Sequence, residues 1–168
     1  MRKRKILKYI IGSCVIGIVI SFIGIAGQFQ PAQPTEMELL ILRDYPELFG
    51  KDVIIVIGES ATEVEEESAD LIKENLKELT GNEPIIKNDT ELLGLDKRAH
   101  NLILVGTPTT NHVLQEVYKL TDVTKVTNEY PGENKGILEI LRNPWNSDKA
   151  LLIVAGSNEW GVKVGSKA

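Results

Sequence analysis

Residues 52–62 read Asp52-Val53-Ile54-Ile55-Val56-Ile57-Gly58-Glu59-Ser60-Ala61-Thr62. Every residue from Val53 to Ile57 is β-branched, and no polar side chain interrupts the run. A half-solvated strand alternates apolar and polar positions. One that is apolar on both faces belongs in the middle of a parallel sheet, with helices covering both sides. Gly58 ends the run, and Thr62 opens a helix with Glu65 three residues later, the reciprocal pairing of a capping box. Glutamates crowd the first turns, where the helix dipole favours them. Val64, Ser68, Leu71, Ile72, Asn75, Leu76 and Leu79 fall near one face of that helix, and Gly81 stands where a left-handed residue closes it.

The same grammar repeats downstream. Pro84 opens a short second strand through Lys87, a position where its missing N–H does no harm. Leu102–Val105 is another buried strand ended by Gly106. Thr109 or Thr110 is then expected to cap a helix through Leu120, with Val113, Leu114, Val117 and Leu120 inward. Thr121 to Lys135 is polar and carries the turn signal Pro131-Gly132. Gly136–Leu141 and Ala150–Ala155 read as two strands joined by a loop short enough for an antiparallel hairpin, and a last helix begins near Asn158. The order predicts a three-layer α/β/α domain with a mostly parallel sheet and a C-terminal hairpin. Because the last helix stops at Ala168, a fragment, or a short member of a larger architecture, is expected.

Open α/β sheets bind ligands beyond the carboxyl ends of their strands, where helix N-termini offer free N–H groups. The candidate ligand loops are therefore 58–62 with Ser60 and Thr62, 106–111 with Thr107, Thr109 and Asn111, and 156–159 with Ser157 and Asn158. The competing explanation is that glycine makes each turn and the hydroxyl or amide caps the next helix. Catalytic signatures are missing: there is no GxGxxG after the first strand, no P-loop lysine, and no second glycine to make Ser60 a nucleophile elbow. His100 and His112 lack a carboxylate at a telling sequence spacing, so solvated or capping roles are expected. The run Glu63, Glu65, Glu66, Glu67 reads as a solvated helix start, with loose calcium binding as the lesser reading. Trp145 and Trp160 could stack on sugars, but a loop anchor and a core contact are the simpler roles. No cofactor is expected. Asn88-Asp89-Thr90 is an N-x-T sequon just after an edge strand, a candidate glycosylation site at Asn88 on an exported domain.

Upstream, residues 9–27 read YIIGSCVIGIVISFIGIAG, nineteen residues without a charge, behind a tail holding Arg2, Lys3, Arg4, Lys5 and Lys8. Roughly 20 apolar residues cross a hydrocarbon core of about 30 Å. The positive flank keeps the N-terminus in the cytoplasm. A cleavable signal peptide competes, with Gly24 and Ala26 as small residues, but its apolar region is typically about 7–15 residues. The expected plan is a cytoplasmic tail over 1–8, a transmembrane helix over 9–27, a linker with a short helix over 28–51, and an extracellular domain over 52–168. In the linker, Glu36–Arg43 is expected to be helical until Pro46 interrupts.

Charge agrees with this plan. All 24 acidic residues lie at or after Glu36, against 14 of the 19 basic ones, so the outer part carries −10. Such a surface repels nucleic acid, whose binding needs Lys and Arg on phosphates. Cys14 is the single cysteine and lies within the apolar span, which leaves no intramolecular disulfide, CxxC zinc site or lipobox. The abundance of Glu, Lys, Ile, Leu and Val, with little Gln, leans towards a thermophilic prokaryote.

Asn101-Leu102-Ile103-Leu104-Val105-Gly106-Thr107-Pro108 and Ile137–Gly156, which reads ILEILRNPWNSDKALLIVAG, carry a further signal together with Val53–Gly58. The stretch from Asp52 to Ala168 resembles domains of archaeal surface-layer proteins. There, a strand ending LILVGGP precedes a helix, and a strand after NPFN ends ALLVAG. Thr107 stands here for the second glycine and Trp145 for the phenylalanine. The resemblance implies a non-catalytic envelope protein whose partners are the lipid bilayer, through residues 9–27, and other envelope or surface-layer proteins. The short chain and its leading apolar segment point to an accessory protein. A solute- or carbohydrate-binding module using the strand-end loops is the alternative expectation.

Overall fold

A computed structural model describes residues 40–168. The expected cytoplasmic tail, membrane helix and first part of the linker lie outside the described residues. Among the described residues, no helix is long and apolar enough to cross a membrane.

Among the described residues, five strands form one sheet in the order β2-β1-β3-β5-β4. β1 (Val53–Ile57) pairs in parallel with β2 (Ile85–Asn88) on one side and β3 (Asn101–Gly106) on the other. β3 pairs in parallel with β5 (Ala150–Gly156), and β5 pairs antiparallel with β4 (Gly136–Arg142). The helices are α1 (Tyr45–Leu48), α2 (Glu63–Thr80), α3 (Gly94–Ala99), α4 (His112–Leu120) and α5 (Glu159–Gly165).

The apolar β1 run does what its composition demands. Ile54 and Val56 face a core shared with Leu102, Leu104, Val113, Leu114 and Val117. Val53, Ile55 and Ile57 face the opposite core, with Ile103, Val105, Ala69, Ile72, Leu76 and Val162. Helix α4 thus covers one face of the sheet, and α2 and α5 cover the other. All residues of β1 and β5 are buried, whereas those of the edge strands β2 and β4 are half-buried or exposed.

Four local expectations are corrected. No helix runs to Arg43 in the described part of 36–43; a 3-10 turn over Leu42–Asp44 leads into α1, which accommodates Pro46 in its first turn instead of being broken by it. Asn111, not Thr109 or Thr110, caps α4, its side chain accepting from the Val113 N–H. Helix α3 was not expected at all: Leu93 and Leu95 are exposed, so its sequence carries no amphipathic stripe to betray it. Finally, α2 buries Glu65, Ser68, Ala69, Ile72 and Leu76, while Leu71, Leu79 and, on α4, Leu120 remain substantially exposed.

Candidate functional site

The strand order reverses at β1 and β3, so the loops after these strands flank the switch point where such sheets hold ligands. Here that crevice is closed by the protein itself. Gly58 lies so near the loop after β3 that a Cβ there would stand 1.9 Å from the Thr110 carbonyl oxygen. Only glycine permits that approach of two backbones.

Glu65 fills the space that remains. It is fully buried, one turn into α2. Its Oε2 accepts from the Thr62 N–H at 2.8 Å, and its Oε1 accepts from the Thr107 N–H at 2.9 Å and the Thr110 hydroxyl at 2.7 Å. Thr62 reciprocates by accepting from the Glu65 N–H at 3.3 Å, so the predicted capping box forms. One carboxylate therefore caps its own helix and staples it to the loop of the neighbouring strand.

Asn111 makes the matching closure on the other face. It is fully buried, and its Nδ2 donates to the Val56 and Val105 carbonyls at 3.0 and 3.1 Å. It thus bridges the last turns of β1 and β3 while its Oδ1 caps α4.

A third tie joins β2. Asp89 Oδ1 accepts from the Glu59 N–H at 2.9 Å, and Oδ2 from the His112 N–H at 2.8 Å. The His112 Nδ1 lies 2.9 Å from the same oxygen, so this histidine does meet a carboxylate, one 23 residues away in sequence. Burial alone would raise the Asp89 pKa. The two amide donors and the His112 ring outweigh it and hold the carboxyl below its ordinary value. His100 Nδ1 lies 3.2 Å from the Asp96 carbonyl, a local contact at the end of α3.

The loop after β5 joins a different neighbourhood. The Ser157 hydroxyl donates to the Gly132 carbonyl at 2.6 Å, and its N–H to the Lys135 carbonyl at 3.1 Å. Asn158 caps α5 through Gly161 and contacts Asn134 Oδ1 at 3.0 Å. Of the candidate loop residues, then, Thr62, Asn111 and Asn158 are helix caps, and Thr107 and Ser157 fasten loops. Ser60 and Thr109 are exposed and, among the described residues, have no hydrogen-bond partner. The first two loops meet on the Glu65 carboxylate, whereas the loop after β5 bonds to Gly132, Asn134 and Lys135 instead.

The remaining candidates are equally local. Trp145 packs against the α4-side core with Lys97 Nζ 5.0 Å from its ring centroid. Trp160 is half exposed, with Lys163 Nζ 5.8 Å from its ring. Glu67, in the acidic run, pairs with Lys163. Among the described residues, no group of three or more His, Cys, Asp or Glu side chains is placed to hold a metal ion. An apolar groove of about 700 Å³ lies away from the strand ends, between α2, the β4–β5 hairpin and residues 165–168. Tyr45, on its wall, has its phenol pushed up to about 12 by burial.

Residues 52–168 match the S-layer like family, outer domain. The chain belongs to this family. The match starts one residue before β1 and takes in the whole sheet. The chain is also similar to an uncharacterized protein, MJ0954, of Methanocaldococcus jannaschii, with 36% identity over 91 residues. That alignment covers 52% of this chain and 20% of the relative, so the chain matches only about a fifth of the relative's length. An S-layer-like outer domain suggests a structural, envelope-type role, and it fits a molecule whose strand-end loops are spent on holding the sheet together.

Proposed function

We propose that this protein is a membrane-anchored accessory of the cell envelope, with its S-layer-like domain outside and residues 9–27 in the bilayer. The observation that carries the reading is the family match over 52–168. The uncharged span behind five basic residues supports the anchor, and the −10 balance of everything beyond it suits an exterior face. The role is structural or interactive, through contacts with other envelope proteins. The strand-end donors that a bound solute or a reacting group would need are engaged with Glu65, Asn111 and one another.

The test is topological. Protease added to intact cells is expected to remove the domain while a basic-tail epitope stays membrane-bound and protected. A domain that resists protease on intact cells but is cleaved after lysis overturns the proposal. Intact-protein mass then decides between a retained anchor and a cleaved one, because cleavage near Ala26 removes the whole basic tail.

A further inference from the structure

We infer that Asn88 is the attachment site of an N-linked glycan, an inference that rests on the exterior placement proposed above. The chain has ten asparagines, and only Asn88 is followed two positions later by Ser or Thr. The structure adds an independent distinction. Asn82, Asn101, Asn111, Asn143, Asn146 and Asn158 commit their carboxamide nitrogens to protein acceptors. Among the described residues the Asn88 carboxamide has no hydrogen-bond partner, and neither has the Thr90 hydroxyl. The other asparagines left so, Asn75 and Asn128, are followed by Lys77 and Tyr130 at the deciding position.

The surrounding backbone presents the tripeptide. Asn88 ends β2, the edge strand, and a turn closed by the Glu91 N–H on the Asn88 carbonyl at 3.0 Å follows. The middle residue is the fixed one. The Asp89 side chain is 1% exposed and tied to Glu59 and His112, while Asn88 is half-buried and Thr90 is exposed. A pinned centre with two unengaged flanking side chains is a sequon that stays available after the domain has folded. An N-x-T triplet on a surface turn of an exported domain is what a glycan-transferring enzyme takes as acceptor.

The co-reactant is a lipid-linked oligosaccharide activated as a diphosphate ester. The Asn88 Nδ2 forms a C–N bond to the anomeric carbon, and the bond from that carbon to the diphosphate oxygen breaks. The lipid diphosphate leaves with the electron pair, and Nδ2 gives up one proton. No oxidant or reductant is involved.

The whole 168-residue chain is expressed in an archaeal host that makes N-linked glycoproteins. Intact mass and peptide mapping are read alongside protease treatment of intact cells. The expected result is a mass above that of the bare chain, with the increment on the peptide containing Asn88. It should be lost in Asn88→Gln and Thr90→Ala and kept in Thr90→Ser. Because neither side chain has a hydrogen-bond partner among the described residues, these variants should melt with the parent. A bare mass on a domain that protease reaches from outside overturns the glycan and leaves the envelope placement standing. A bare mass on a protected domain overturns both. An increment that persists in Asn88→Gln overturns the site.

Discussion

Glu65→Gln separates the closure of the strand ends from ordinary helix capping. The glutamate accepts three hydrogen bonds from two sides, the Thr62 N–H on Oε2 and the Thr107 N–H with the Thr110 hydroxyl on Oε1. Glutamine keeps the shape and offers only one oxygen. If that oxygen faces Thr107 and Thr110, its NH2 group points at the Thr62 N–H; if it turns over, the NH2 meets the Thr107 N–H. Either way a donor faces a donor, and the surviving bonds fall from charge-assisted to neutral strength. An orphaned buried donor costs about 1–3 kcal/mol, and a bond to a charged acceptor is worth about 1.5–3 kcal/mol against roughly 1 for a neutral one. The opposing term is relief of the desolvation of a fully buried carboxylate. The balance is a loss of about 2–4 kcal/mol, a large share of a typical domain stability of about 5–15 kcal/mol. It corresponds to a fall of roughly 6–15 °C in Tm. Glu66→Gln, one residue along and exposed, is the control and should stay within about 0.5 kcal/mol of the parent. Urea titration followed by circular dichroism gives both numbers, and a cycle with Thr110→Val should show coupling above about 0.5 kcal/mol. If Glu65→Gln is as stable as Glu66→Gln, the three bonds carry no net stability and the account of the closed crevice is wrong.

Other substitutions probe the same closure. Gly58→Ala drives a methyl group to 1.9 Å from the Thr110 oxygen and should cost more than about 3 kcal/mol or prevent folding, whereas Gly94→Ala meets open space at the start of α3 and should gain about 0.4–1 kcal/mol; thermal melts compare the two. Asn111→Asp retains an acceptor for the Val113 N–H but turns an oxygen towards the Val56 and Val105 carbonyls, so it should destabilise by about 2–4 kcal/mol, and a variant as stable as the parent in urea refutes the bridge. The Asp89 carboxyl is held below its ordinary value of 3.8, so the stability it adds is present above that pH and disappears as pH falls through the lower folded value. The stability gap between parent and Asp89→Asn should therefore shrink as pH falls below about 4, and a gap that stays undiminished through that range contradicts the assignment.

The fold was legible because its decisive signals are local. An apolar run ended by glycine announces β1, β3 and β5, the Thr62-x-x-Glu65 box announces α2, and the apolar spacing after the second loop announces α4. Helix α3 did not, since Leu93 at its N-cap and Leu95 within it are exposed and leave no amphipathic pattern of the kind that marks a packed helix. Leu71, Leu79 and Leu120 misled for the converse reason: they lie near the apolar stripe of their helices, but little lies over them.

The strand-end loops pose a harder problem, because capping and ligand binding call on the same residue types. A Thr or Asn after a strand has an oxygen and a donor to offer in either case. What separates the two uses is the other partner, and here that partner is always distant in sequence: Glu65 for Thr107, Asp89 for His112, Val56 for Asn111, Gly132 for Ser157. A capping box in the sequence tells of Glu65 and Thr62 but is silent on the second oxygen of the carboxylate. Gly58 is the nearest thing to a local clue, since it removes the side chain that would hold the two loops apart. Once the β1 and β3 loops touch, a carboxylate and a carboxamide suffice to tie them together, and a place where this sheet topology commonly receives a ligand becomes a structural weld.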